Sequence, residues 1–144
     1  MRGAVATNFL GWTYLSQGRL DEARRWFEKS LAINSQLGVR PRLAQNYQNL
    51  AIVCYKQGDY EPAAELLTSE LALVGGLTDM TCRARLALGN VRRLREEFAG
   101  ARADLLEAYA LARENGYTRE ETLALEFLGD VCREIGRASC RERV

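Results

Sequence analysis

The chain has 144 residues, which suits one domain, and contains 47% hydrophobic residues, 27% charged residues and only two prolines. This composition is typical of a helix-rich globular protein and excludes a disordered chain. The formal net charge of +1 gives no overall field that would favour nucleic acid or an anionic membrane as a partner. The sequence shows neither the apolar run of a signal peptide nor about 18 consecutive apolar residues, so we expect a cytoplasmic location and no membrane contact.

In chain order, the apolar periodicity predicts seven helices and no strand, because period-two alternation is never sustained. The predicted helices cover residues 2–17, 20–37, 42–57, 60–74, 79–94, 97–115 and 119–134. Glycines such as Gly18 and Gly58 mark tight turns between them. Asp59 is expected to cap the fourth helix, and the sequence from Thr118 to Glu121 is typical of a capping box that opens the seventh.

The helices form a repeat whose units follow one another at nearly constant spacing. Each unit opens on a leucine followed by a small residue, in the pairs Leu10-Gly11, Leu50-Ala51, Leu88-Gly89 and Leu128-Gly129. The small residue would let the second helix of the unit approach closely. We expect the alanines at Ala23, Ala63 and Ala101 to face it, and Phe27, Leu67 and Leu105 to fill the core between repeats.

The pattern Leu-Gly-x-x-Tyr, then Gly, Ala and Phe, as it stands from Leu10 to Phe27, resembles the consensus of the tetratricopeptide repeat (TPR). The resemblance implies an all-α, right-handed α–α superhelix, a TPR solenoid of three full helix–turn–helix repeats and one half repeat. The units would span about 4–38, 44–76, 82–116 and 122–134 within a repeat domain of residues 1–134. The spacing is longer than that of the classical repeat and is similar to that of kinesin light chains and of bacterial LuxR-type and STAND regulators. Arg92 and Glu96 depart from the pattern, so we expect looser packing in the third unit.

Residues 135–144 continue neither the repeat nor its apolar periodicity. Together with Glu134 they spell EIGRASCRERV, which is similar to the translation of a common sequencing adapter. We therefore expect a non-native tail, a chain that is a fragment of a larger protein, and no role for Cys140. The apolar face of the last native helix would then be uncovered, which would allow oligomerisation.

The resemblance also implies a concave groove lined by the first helix of each repeat. Twelve residues are expected to line it by register: Asn8, Trp12, Gln45, Gln48, Ile52, Tyr55, Arg83, Leu86, Asn90, Arg93, Glu126 and Asp130. Val5, Leu123 and Arg133 share these register positions. Amide side chains can pair with a peptide backbone, arginine can hold a carboxylate, and aromatic residues serve as anchors.

Two assignments stay open at this point. Trp12 could pack in the core or face the groove. The arginines of the fifth helix region form either a solvated face paired with Glu96, Glu97 and Asp104 or a contact for an acidic peptide or partner helix; they are Arg83, Arg85, Arg92, Arg93 and Arg95. Nucleic acid is not an expected partner, because the chain is nearly neutral and has no reading motif.

We do not expect an enzyme, a cofactor or a metal site. Histidine is absent, which removes the commonest general base, and no glycine-rich phosphate loop occurs. The four cysteines are widely spaced and contain no C-x-x-C pair, which favours buried or free thiols.

The sequence therefore predicts a scaffold that binds a protein or peptide through the groove of a TPR array. The alternative is the sensory TPR arm of a bacterial transcriptional regulator or signalling ATPase. A third option is a repeat tail attached to an enzyme such as a kinase or cyclase.

Overall fold

The computed structural model describes residues 2–142, with side chains over residues 3–138, and this part of the chain is entirely helical apart from its turns. The seven described helices are α1 (Arg2–Ser16), α2 (Leu20–Leu37), α3 (Arg40–Lys56), α4 (Tyr60–Leu73), α5 (Thr78–Leu94), α6 (Phe98–Asn115) and α7 (Thr118–Glu142). The all-α prediction is confirmed. None of these helices combines the length and the apolar character that crossing a membrane would require.

The helices fall into two compact units, Met1–Gly75 and Gly76–Val144. In the first unit, α1 packs against α2, α2 against α3, and α3 against α4. In the second unit, α5 packs against α6 and α6 against α7, and α7 also contacts α5. The first unit thus holds two helical hairpins, and the second holds one hairpin followed by the first helix of another.

The turn inside each hairpin uses a left-handed backbone conformation. Gly18 and Gly58 adopt it at φ 75° and 84° in the first two hairpins. In the third hairpin Glu96 occupies the same place at φ 61°, as the one described residue other than glycine with a positive φ. That conformation is disfavoured for a residue with a Cβ, so the third turn carries a strain that the first two avoid.

Two predicted caps differ from the structure. Asp59 precedes α4 as its N-cap but makes no capping hydrogen bond with its side chain; its carbonyl oxygen accepts the amide of Ala63 at 3.3 Å. At α7 the amide of Glu121 donates to the carbonyl oxygen of Tyr117 at 2.9 Å, so Tyr117 holds the position predicted for Thr118. Both helices start where expected without these side-chain bonds, because packing contributes more to helix stability than a single cap.

Helix α7 is longer than predicted. It continues through Gly136 to Glu142, whereas the periodicity predicted an end near residue 134. Proline is absent from this segment, and alanine, arginine and glutamate favour helix, so nothing in it stops the helix. The non-native origin of residues 135–144 stays a prediction, and the Cys140 side chain lies outside the described residues.

The small residue of the first helix is where the two helices of a hairpin meet. A Cβ added at Gly11 would overlap the ring of Phe27, and one added at Gly89 would lie 2.6 Å from Cγ of Leu105. Phe27 and Leu105 are fully buried. The requirement for a small residue is therefore confirmed, but its main partner is the large residue of the second helix. Of the alanines predicted for that role, Ala101 does lie against Gly89, where its carbonyl oxygen would be 3.3 Å from an added Cβ. Ala23 is buried one turn before Phe27.

We expect Gly11→Ala to lower the free energy of unfolding, because the added Cβ would overlap the fully buried ring of Phe27. Overpacking of this kind costs about 1–3 kcal/mol, against about 1 kcal/mol gained from replacing glycine in a helix. The matched control is Gly129→Ala in α7, where the new Cβ would meet only the Arg133 guanidinium at 3.7 Å. Thermal unfolding followed by circular dichroism should show a lower Tm for the first variant than for the second. Equal values would mean that the close approach at Gly11 is not a constraint.

Candidate functional site

An exposed apolar stripe runs along α1 in the first unit. Val5, Phe9 and Trp12 are spaced by four and three residues, which places them on one side of the helix. Phe9 is 70% exposed and Trp12 41% exposed, and Val5 is also exposed. Large apolar side chains grouped in this way mark interaction surfaces more often than isolated ones do. The register of the first helices predicted Val5 and Trp12 on this surface but not Phe9, which the i, i+4 spacing from Val5 indicates.

Trp12 is packed against the core on one side and exposed on the other. Its ring packs edge-on against Phe27, with ring centroids 5.8 Å apart and planes at 77°. The rest of the indole lies at the surface. The residue therefore has one edge supported by the core and the remainder available to a partner, which suits an anchor that is held in one orientation.

Amide side chains connect α1 to α3 next to this stripe. Nδ2 of Asn49 donates to Oδ1 of Asn8 at 2.8 Å, and Nε2 of Gln45 donates to Oδ1 of Asn49 at 3.1 Å. Asn8 and Gln45 were predicted as ligand-facing residues, and the structure joins them through Asn49, a fully buried residue that the sequence analysis missed. Gln48, Ile52 and Tyr55, predicted for the same face, are half-buried on α3.

A small pocket of about 160 Å³ lies beside these amides, where α1, α2 and α3 meet within the first unit. Its lining includes Asn8, Gln45 and Val5 from the predicted set, together with Asn34, Asn46 and Arg42. Two buried polar atoms of the lining have no hydrogen-bond partner, namely Oδ1 of Asn34 and Nη1 of Arg42. Neither Asn34 nor Arg42 was predicted from the sequence, because each lies close to a predicted loop and off the register of the first helices.

In the second unit most of the predicted polar residues are engaged within the chain. Arg93 forms an ion pair with Glu134 at 2.6 Å and donates to Oδ1 of Asn90 at 2.9 Å. Arg133 is paired with Asp130. Three predicted residues remain: Arg83 lies 3.2 Å from Asp79 at the surface, Glu126 is exposed, and Leu86 is only 7% exposed. Leu86 therefore belongs to the core of this unit and offers little surface to a ligand.

The arginine-rich segment is organised around one buried carboxylate. Asp104 on α6 is 2% exposed and lies 2.8 Å from Nη1 of Arg85 and 2.6 Å from Nη1 of Arg92. Arg95 pairs with Glu97 at 3.2 Å. With Arg83 and Arg93 already paired, all five arginines have an acidic partner, which favours the paired-face interpretation. Asp104 and Glu97 were predicted partners; Asp79, Glu107 and Glu134 were not.

The same ion pairs explain why the third hairpin packs closely. Arg92 occupies the position that Tyr14 holds in the first hairpin, and its guanidinium reaches Asp104 instead of filling the core with a ring. Leu88, Gly89 and Val91 around it are buried. Helices α5 and α6 contact each other as extensively as the helices of the first two hairpins, so the expectation of looser packing in this unit is wrong. An ion pair between the half-buried Arg92 and the buried carboxylate of Asp104 replaces the aromatic contact.

The described cysteines are free thiols. Cys54 and Cys82 are buried, and Cys132 is exposed. Burial raises the pKa of the Cys54 thiol and that of the Cys82 thiol, so both are protonated at neutral pH. Over the part of the chain with described side chains, no three cysteine, aspartate or glutamate residues converge as a metal site would require.

A family model described as tetratricopeptide repeat matches residues 3–74. Among solved structures, the apo form of RapI superimposes with a TM-score of 0.88 at 14% identity, over 94% of this chain and 50% of that one. The first TPR domain of Spaghetti (RPAP3), bound to the HSP90 peptide SRMEEVD, gives a TM-score of 0.75 at 18% identity, with 94% of each chain covered.

A third similar structure contains the nearly identical TPR-like repeats of a Podospora anserina protein assigned as a kinesin light chain. It gives a TM-score of 0.67 at 17% identity, over 93% of this chain and 76% of that one. A search of curated proteins finds no match. This chain spans half the length of the RapI chain. At identities of 14–18%, the similarity to these solved structures establishes the fold alone.

We expect Asp104→Ala to destabilise the protein by about 1–3 kcal/mol, because the substitution leaves two arginines without their buried carboxylate. The value is below that of a fully buried pair, since Arg85 and Arg92 keep about a third of their side chains exposed and remain partly hydrated. Asp79→Ala removes an exposed pair and should cost less than about 1 kcal/mol. Urea unfolding of both variants provides the measurement, and a cost at Asp104 no larger than that at Asp79 would contradict the structural role of this carboxylate.

Proposed function

Because this chain belongs to the tetratricopeptide repeat family, we propose that it is a cytoplasmic, non-catalytic scaffold that binds a peptide or protein partner. Repeats of this family commonly mediate protein–protein interactions. The observation that carries the proposal is the exposed apolar stripe of Val5, Phe9 and Trp12 on α1 beside the amides of Asn8 and Gln45. The binding surface is formed by α1 and α3 of the first unit.

The composition of this surface favours an extended peptide segment with apolar side chains. Phe9 and Trp12 would be covered by those side chains, and aromatic residues contribute strongly to binding when they are fully desolvated. The amide groups beside them can exchange hydrogen bonds with a peptide backbone, which presents one donor and one acceptor per residue. Because Asn49 fixes the orientation of Asn8 on α1 and Gln45 on α3, less side-chain entropy is lost on binding.

An acidic peptide such as the SRMEEVD bound by the Spaghetti domain is a poorer match to this surface. Such a peptide calls for several cations, whereas the α1–α3 face is built mainly from apolar and amide side chains. The arginines of the second unit are already paired with carboxylates of their own chain. We therefore propose a partner segment that is apolar and nearly neutral.

The predicted residues of the second unit take a secondary place in the proposal. A ligand at Arg93 or Asp130 would have to replace an existing ion pair, and such a replacement recovers little free energy. Arg83, Asn90 and Glu126 remain proposed contacts on that face. Oligomerisation through α7 stays part of the proposal and is supported by the exposed apolar side chain of Leu125 on that helix.

The alternative of a sensory arm in a transcriptional regulator or signalling ATPase concerns segments beyond this chain. It would use the same binding surface, so it changes the consequence of binding and not its chemistry. Nothing in the described residues favours it over the scaffold, and its support remains the long spacing of the repeat.

We expect Phe9→Ser to weaken binding of a peptide selected from a random-peptide display library by at least about 30-fold. This corresponds to the loss of about 2 kcal/mol that is typical of an aromatic anchor. The matched control is Leu106→Ser on α6, which removes an exposed apolar side chain from the second unit. Fluorescence anisotropy with the labelled peptide gives both values of Kd. The proposal fails if selection yields no binder or if the two variants bind equally well.

A further inference from the structure

The pocket of about 160 Å³ in the first unit is lined mainly by polar residues. Hydrogen bonds link three of them in a series that leaves one atom unpaired at its end. The volume of the pocket would hold about five water molecules at roughly 30 Å³ each. Asn34 Nδ2 donates to Asn46 Oδ1 at 2.6 Å, and Asn46 Nδ2 donates to Ser30 Oγ at 2.9 Å. The Ser30 hydroxyl then donates to the carbonyl oxygen of Ala4 at 3.3 Å. This series of hydrogen bonds ends at the carbonyl oxygen of Ala4. At its other end, no group donates to Oδ1 of Asn34.

Two residues that line the same small space therefore each carry an unpaired buried atom, and the two atoms are of opposite kind. Asn34 is 4% exposed, and its Oδ1 is a buried acceptor. Arg42, in the first turn of α3, lines the same pocket and has a buried Nη1 with nothing to donate to. Buried polar atoms are nearly always satisfied in native proteins, so an unpaired donor beside an unpaired acceptor requires an explanation.

The repeat itself shows that the fold does not need these polar residues. Leu88 corresponds to Leu10 and Leu128 to Leu50 at one constant offset in the sequence, so each position of the first unit has a counterpart in the second. At that offset the counterparts of Ser30, Asn34 and Asn46 are all alanine, namely Ala108, Ala112 and Ala124. These three alanines are fully buried and belong to one apolar core cluster. The same place in the architecture is thus apolar and closely packed in the second unit.

We propose that this pocket binds a primary carboxamide, as carried by a glutamine or asparagine side chain of the bound peptide. Both unpaired atoms are buried in the free protein, so binding requires the side chains of Asn34 and Arg42 to turn toward the pocket. The carbonyl oxygen of the ligand would then accept from Nη1 of Arg42, and its NH₂ group would donate to Oδ1 of Asn34. The inference rests on the proposed function, because Asn8 and Gln45 line both this pocket and the α1–α3 surface. It adds a polar specificity element beside the apolar stripe.

A carboxylate matches the pocket less well than a carboxamide of the same shape. It could accept from Arg42, but it has no hydrogen to offer to Oδ1 of Asn34 and would repel it. Turning over the amides of Asn34 and Asn46 would put Nδ2 of Asn34 in the place of its Oδ1 and reverse this preference. That arrangement requires the Ser30 hydroxyl to give up Ala4 and donate to Asn46 instead. The choice between carboxamide and carboxylate therefore reports on the direction of the hydrogen-bond chain.

The test is a titration of the ¹⁵N-labelled protein with N-acetyl-glutamine-N-methylamide, followed through the side-chain NH signals of Asn34, Asn46 and Arg42. The glutamate and norleucine analogues have the same backbone amides and serve as controls. We expect saturable shifts with the glutamine compound and binding at least tenfold weaker with the other two. Equal shifts with all three compounds, a preference for glutamate, or no shift with glutamine would each overturn the proposal.

Variants that copy the second unit provide the matched comparison. The triple variant Ser30→Ala, Asn34→Ala, Asn46→Ala reproduces the apolar set at Ala108, Ala112 and Ala124, and we expect it to fold and to lose glutamine binding. Arg42→Met keeps the aliphatic stem, leaves the amides intact and should weaken binding at least tenfold. Leu106→Ser should bind as the wild type does. Retained glutamine binding in either pocket variant would contradict the assignment.

The outcomes for the pocket and for the proposed function are separable. If the inference alone is wrong, a library-selected peptide still depends on Phe9 while the glutamine compound leaves the pocket signals unchanged. If the proposed function is wrong, no peptide depends on Phe9, whatever the small compound does.

Discussion

The close approach of the two helices in each hairpin is the contact on which the rest of this structure depends. It is possible only because the first helix carries a residue without a large side chain where the second carries Phe27 or Leu105. Once that contact is made, one side of the first helix is committed to the core. The other side of α1 is left to the surface, and there it carries Phe9 and part of Trp12. The proposed binding surface is thus a consequence of how the two helices of the hairpin pack.

The two units satisfy their buried polar side chains in different ways. In the second unit the buried carboxylate of Asp104 is satisfied by Arg85 and Arg92, which reach it from the neighbouring helix. In the first unit buried amides form chains, one between Asn8 and Gln45 and one ending at Asn34. In an ion pair the two partners satisfy each other. A series of amide hydrogen bonds runs in one direction, so it can leave an acceptor unused at one end. The unpaired Oδ1 of Asn34 is the end of such a series, and the proposed carboxamide site rests on it.

Much of the local structure followed from periodicity alone. The starts and ends of the helices agree with the structure to within two residues except at the end of α7, because turn residues and apolar spacing act over short distances. The residues of the candidate site were predicted less well from the sequence. Leu86 has the register of a surface residue and lies in the core, and Phe9 was missed although it is highly exposed. Residues at the border between two faces of a helix turn inward or outward according to what the neighbouring helix brings, and a one-dimensional register contains no such information.

By itself the sequence determined the helices, the repeat, the requirement for a small residue at Gly11 and Gly89, and the family. These features depend on neighbours in the chain or on a pattern that recurs along it. Only the tertiary structure decided that Trp12 lies half in the core, that every arginine of the cluster has an acidic partner, and that Asn34 and Arg42 share a pocket. Those residues come from different helices, and the chemistry that they form together exists only where packing brings their side chains within hydrogen-bonding distance.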